Sequence, residues 1–261
     1  MIRKELNLRM RERRGWILPS LYLVVLGAVV TLAYYLSALE NRRVQGAEVG
    51  VAIFITAAYT QMAILLLLAP IFSAGSLTIE KEQRTFASLL TSLLTPFQIW
   101  FGKFAASLLF VLLLIVIGIP VLSISFAFGG IGPWEVFIAI ITTVIALGAF
   151  NAIGLYWSSV FRRSVHATAV TYATVIALTV VTFIIFIIEI SVWREGRSWA
   201  DFPWSMKLPL YLNPVFFLTM SFAPPRHLFP EWVRCLGVFV FLGLLATGLT
   251  LWNLRRSGEV A

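Results

Sequence analysis

Charge is scarce in this chain. Of 261 residues only 12% are Asp, Glu, Lys or Arg, whereas 60% are hydrophobic. A water-facing domain carries about 25% charged residues, so a soluble enzyme, a disordered chain, a coiled coil and a nucleic-acid-binding domain are excluded. Cysteine is scarcer still. Cys235 is the only one, which rules out an intrachain disulfide and any Cys-rich zinc or iron–sulfur site. It opens an apolar run and reads as a small hydrophobe. The two histidines, His166 and His227, fall on opposite faces of the predicted membrane layout. There is no His-Glu-x-x-His, no Gly-x-Ser-x-Gly and no cluster of metal ligands, so no catalytic residue and no metal site is expected. A P-loop is missing too. The one Gly-Lys pair, Gly102-Lys103, has Phe97 where the first glycine would stand and Phe104 in place of Ser or Thr. The chain cannot bind ATP in that way, so any ATPase would be a separate polypeptide, with ATP and Mg²⁺ held there, and no cofactor is expected on this one.

Long apolar runs fill the space that charge leaves. Six stretches free of charge are long enough to cross about 30 Å of hydrocarbon as helices, which takes about 20 residues. They place spans at 16–39, 49–79, 104–128, 134–161, 165–188 and 233–254. Within lipid only a helix or a closed barrel satisfies its backbone, and runs such as Leu65-Leu66-Leu67-Leu68 lack the alternation of a barrel strand. The expected fold class is therefore an all-α polytopic membrane protein with six transmembrane helices. The uncharged stretch Leu208–Pro225 is broken by Pro209 and by Asn213-Pro214. It is too interrupted to span, and reads as a re-entrant or interfacial segment within an outer loop over 190–231; the plainer alternative is a simple interfacial loop. The first apolar run is longer than a signal-peptide core and no Ala-x-Ala site follows it, so cleavage is not expected.

The basic excess of +8 reports orientation. With the N-terminus inside, Arg3, Lys4, Arg9, Arg11, Arg13, Arg14, Lys81, Arg84, Lys103, Arg162, Arg163, Arg255 and Arg256 share one face. Only Arg42, Arg43, Arg194, Arg197, Lys207, Arg226 and Arg234 lie on the other. The positive-inside rule thus predicts a multi-pass protein with both termini cytoplasmic, and the expected location is the cell inner membrane. Ile2, Leu6 and Met10 recur every four residues among basic ones. Residues 1–15 therefore read as an interfacial helix anchored by Arg3, Lys4, Arg9, Arg13, Arg14 and Trp16. The plainer alternative is a disordered basic tail that acts as a topology signal.

The segment between spans two and three carries the main charged cluster: Glu80, Lys81, Glu82 and Arg84. Glu80 and Arg84 stand at i, i+4 in the favourable order. Phe86, Leu89, Leu90, Leu93 and Leu94 form one apolar helical stripe. Thr95, Pro96 and Gln98 then spell a helix start: N-cap, N1 and the third residue of a capping box. Glu80-x-Glu82-x-x-Thr85-Phe86-x-x-Leu89-Leu90, followed by Thr95-Pro96 and Gly102-Lys103, resembles the signature of ABC-2 type transporter permeases. Arg84 stands where that family usually has Gly, and the spacing to Thr95-Pro96 is a residue or two longer.

The resemblance implies a coupling helix over 80–94, docked on an ABC ATPase subunit through Glu80, Lys81, Glu82, Arg84, Thr85, Phe86, Leu89, Leu90, Thr95 and Pro96. It also implies a homodimer of permease chains in the lipid bilayer, and export of an amphiphilic or apolar substrate. The alternative for the stripe is that it packs on the inner ends of the chain's own spans. Gln61, Asn151, Asn213 and Pro214 are candidates for the substrate pathway. The bland reading of Gln61 and Asn151 is an interhelical hydrogen bond. Gly148-x-x-x-Ala152, Gly154-x-x-x-Ser158 and Gly243-x-x-x-Thr247 predict close helix approach. Rival readings for the whole chain are a non-transporting membrane scaffold or sensor, or a cofactor-handling membrane protein of the same fold.

Overall fold

The computed structural model describes residues 14–40, 46–85, 95–192, 204–222 and 229–259. Every regular element among them is helical. In chain order these are α1 (Arg14–Glu40), α2 (Gly46–Ser73), the five-residue α3 (Thr78–Glu82), α4 (Pro96–Phe128) and α5 (Pro133–Val160). Next, α6 (Ser164–Ile176) passes through a π-helical turn, Ala177–Val181, into α7 (Thr182–Val192). The short helices α8 (Trp204–Tyr211) and α9 (Pro214–Ser221) precede α10 (Phe229–Glu259). Six helical stretches are long and apolar enough to cross a membrane, one for each uncharged run. The anchor residues Arg3, Lys4, Arg9 and Arg13 lie outside the described residues, as do Phe86, Leu89 and Leu90 of the apolar stripe. Arg14 and Trp16 sit in the first turn of α1.

Local sequence sets the helix boundaries. Thr95 accepts a hydrogen bond from the Gln98 N–H, and Gln98 Oε1 accepts one from the Thr95 N–H, which completes the predicted capping box ahead of Pro96. From there α4 runs unbroken for 33 residues, about 50 Å. It therefore starts eight residues ahead of the predicted span and reaches well past a hydrocarbon layer. Conversely, α2 ends at Ser73 although the uncharged run continues to Ile79.

Helix α5 is the central element. It packs against α2, α4, α6, α9 and α10, and its window is the most buried of the six. Two of the three small-residue motifs explain this. A Cβ on Gly154 would strike the Ser73 side chain, and one on Gly243 would meet Ala149 at 3.6 Å. A Cβ on Gly148 would have nothing within 4 Å, so no close approach requires glycine there. The outward faces of α1, α6, α7 and α10 expose Leu21, Val24, Ile176, Phe183, Phe241 and Leu244, the composition that a lipid-facing surface requires.

Candidate functional site

One end of the bundle, the proximal end, gathers the stop of α2, the start of α4, the stop of α5, the start of α6 and the stop of α10. Helix α3 lies across it. The turn that leads into α3 is held from α5, whose Ser158 Oγ accepts from the N–H groups of Leu77 (2.9 Å) and Thr78 (3.0 Å). All three residues are fully buried. Ser158 thus supplies the N-terminal acceptor that Leu77, the N-cap residue, lacks in its own side chain.

Three successive charged residues then reach three different helices. Glu80 Oε1 lies 2.6 Å from Nζ of Lys103 on α4, a lysine only 2% exposed that also donates to the Ser76 carbonyl at 2.8 Å. Lys81 Nζ donates to the carbonyls of Ser158 (3.2 Å), Ser159 (2.5 Å) and Phe161 (3.0 Å), the last acceptors of α5. Glu82 Oε1 accepts from the N–H of Ser164 (2.6 Å) and from its hydroxyl (2.8 Å), the first residue of α6. The polarities match the helix dipole: a cation at the C-terminus of α5, an anion at the N-terminus of α6. Two of the three are partly buried, while Glu82 is exposed.

Helix α3 stops abruptly. Arg84 has φ 58°, in the left-handed region. The Thr85 N–H donates to the Glu80 carbonyl and the Arg84 N–H to that of Lys81. These 6→1 and 5→2 bonds are a Schellman motif, and Arg84 occupies the position where glycine is favoured. The backbone here has the conformation that glycine favours, and a non-glycine residue holding it carries about 1 kcal/mol of strain. The predicted Glu80–Arg84 pair does not form. Arg84 is past the last helical turn, and Glu80 turns to Lys103 instead.

The sequence profile of ABC-2 family transporter proteins matches residues 1–219, a stretch that contains α1 to α8 and most of α9. The chain belongs to the ABC-2 transporter family. No curated protein gives a sequence match. Six membrane-crossing helices and this membership make the chain a multi-pass transmembrane permease.

The remaining polar candidates of this ABC-2 permease lie apart from α3 and from one another. Asn151 is 1% exposed and joins α5 to α4: its Oδ1 accepts from Ser107 Oγ at 2.8 Å, and its Nδ2 donates to the Phe104 carbonyl at 3.1 Å. Gln61 is buried between α1, α2 and α4. Its Oε1 and the Tyr22 hydroxyl are both buried without a hydrogen-bond partner, and both crowd Gly118, where a Cβ could not fit. At the distal end, Asn213 fills the break between α8 and α9. Its Oδ1 caps α9 by accepting from Val215 (2.8 Å) and Phe216 (3.2 Å), with Pro214 at N1. Its Nδ2 donates to the Thr179 carbonyl and to Thr182 Oγ1, both at 2.9 Å, within and just after the π-helical turn. Tyr59 of α2 meets Thr219 of α9 at 2.8 Å. Tyr211 donates to Glu231, which also pairs with Arg234 at 2.6 Å. Burial first, then the bond to Glu231, push the Tyr211 phenol up to about 12, so it donates as a neutral hydroxyl.

Sequence reasoning singles out neither Ser158 as a cap nor Ser164 and Lys103 as partners of the α3 charges. For Ser158 a signal exists, the small-residue spacing from Gly154, but that spacing indicates packing alone. Among the described residues no group of three or more His, Cys, Asp or Glu could hold a metal.

Proposed function

We propose that this chain is the membrane subunit of an ABC transporter, in which the helical bundle forms the substrate pathway and a separate ATPase subunit supplies ATP, Mg²⁺ and hydrolysis. The observation that carries this reading is the family match over 219 residues, with a short helical element crossing one end of the bundle between the second and third membrane-crossing helices. Residues 80–96 form the coupling segment, and the exposed Gln83, Arg84 and Thr85 belong to its outer surface. The proximal end faces the cytoplasm of the cell, with both termini on that side of the inner membrane, in agreement with the basic residues around it. Two copies pair as a homodimer. The interrupted α8–α9 segment is a re-entrant element that closes the distal, outer end of the pathway, and Asn213 and Pro214 shape it.

Export of an apolar or amphiphilic substrate fits spans that are rich in aromatics and poor in charge. Ion-driven transporters place ionisable residues or broken helices at the bilayer midplane, and the spans here carry very little charge. Copurification tests the reading. A tagged chain recovers a Walker-motif ATPase from its native membranes, and Phe86→Asp weakens that recovery. A tagged chain that brings down no ATPase refutes it.

A further inference from the structure

The charges of α3 form the most conspicuous cluster between membrane spans, and on sequence alone they look like a docking surface. Their bonding points elsewhere. A lysine ammonium has three N–H donors, and all three of Lys81 have acceptors at the end of α5. Glu80 is held by a buried lysine on α4 that also binds the Ser76 carbonyl. One oxygen of Glu82 takes both donors of Ser164 at the start of α6. Ser158 fastens the other end of α3 to α5. A five-residue helix is thus bonded to three membrane-crossing helices through each of its charged side chains.

An ATPase that made ion pairs to Glu80 or Lys81 would first have to strip those bonds. What it can reach without doing so is Gln83, Arg84 and Thr85, which are exposed at and past the Schellman turn, and the exposed Glu82, one oxygen of which is committed to Ser164. Resting on the functional reading above, we infer that Glu80, Lys81 and Glu82 are positioning residues for transmission, not for docking. They convert a displacement of the coupling segment into movement of the proximal ends of α4, α5 and α6. Because the two caps are of opposite sign and fit opposite helix termini, the assignment of Lys81 to α5 and Glu82 to α6 cannot be exchanged.

The test uses the complex with its copurified ATPase, in a Cys235→Ser background with Leu212→Cys as a reporter at the α8–α9 break. Labelling by a membrane-impermeant maleimide is timed with and without ATP plus vanadate. The reference complex is expected to change its labelling rate at least fivefold. Lys81→Met and Glu82→Gln abolish the change, with ATPase recovery per permease unaltered. Glu80→Lys and Lys103→Glu each abolish it, and the double variant restores it. The double variant also serves if a single one fails to assemble.

Three outcomes overturn the inference. One is loss of ATPase recovery in Lys81→Met or Glu82→Gln with the permease itself monodisperse, which makes them docking residues. Another is a full ATP response in all variants. The third is a reference complex that does not respond at all. Failure of the unsubstituted chain to recover any ATPase is a different result, and refutes the functional reading itself.

Discussion

Ser158→Ala is the sharpest test of how α3 is held. The hydroxyl oxygen accepts from two buried backbone N–H groups, those of Leu77 and Thr78. Alanine leaves both without an acceptor in a site where Leu77, Thr78 and Ser158 are each 0% exposed. An unsatisfied buried donor costs about 1–3 kcal/mol. Both N–H groups share one acceptor, so a small shift of the turn relieves part of the cost, and the sum is about 2–4 kcal/mol. For a chain of this size that corresponds to an apparent melting temperature lower by about 5–10 °C. The measurement is the monodisperse fraction by size-exclusion chromatography after heating the detergent-solubilised protein. The control is Ser123→Ala, whose hydroxyl donates to the carbonyl of its own helix at Ile119 and whose loss should stay within about 0.5 kcal/mol. If Ser158→Ala melts with the control, the α3 turn is not held by α5 and the reasoning fails.

Three further outcomes are expected, two from the geometry and one from the charge distribution along the chain. Replacing two neighbouring side chains that carry unpartnered atoms, Tyr22→Phe with Gln61→Leu, should leave the protein at least as stable as the unsubstituted chain, because an unsatisfied buried polar atom costs about 1–3 kcal/mol; a melting temperature lower by several degrees would show that they have a partner. Asn213→Ala removes both the α9 cap and the ties to Thr179 and Thr182. Asn213→Ser should recover about 1 kcal/mol of the loss through the cap alone, and equal melting of the two variants would contradict this. In the Cys235→Ser background, cysteines at Arg42 and Ser198 should react with an impermeant reagent outside intact cells and one at Ser88 should not; the opposite pattern would invert the orientation.

What is legible in the sequence has its partners close by in the chain. Thr95 and Gln98 are three residues apart, so the capping box can be read from spacing and is present. The six crossing helices are legible because hydropathy over about 20 residues is a property of each run alone. Features that depend on another helix are not. The end of α2 at Ser73 precedes the end of its apolar run because Ala74–Leu77 must turn to meet Ser158, and hydropathy carries no trace of that contact. The π-helical turn at Ala177–Val181 receives the Asn213 amide from a segment more than thirty residues later, and nothing in Ala-Leu-Thr-Val-Val marks it. Gly148 and Gly154 stand in the same kind of motif, yet only Gly154 faces a neighbour.

Glu80 shows most directly where local reasoning runs out. Its i, i+4 spacing to Arg84 is worth about 0.2–0.5 kcal/mol in an isolated helix, provided that the helix reaches Arg84. It does not, because the chain turns at Arg84 in the left-handed conformation. Against that small exposed gain stands Lys103, 2% exposed on α4, to which Glu80 presents a carboxylate oxygen at 2.6 Å. Removing a partner from a buried charge costs about 3–5 kcal/mol, with the lower end appropriate here since Glu80 is itself 22% exposed. The pairing with the buried lysine outweighs the local one several-fold, and it acts between residues twenty-three positions apart. A charged cluster that reads as an open surface in one dimension is therefore, in three, the means by which α3 is fastened to three membrane-crossing helices.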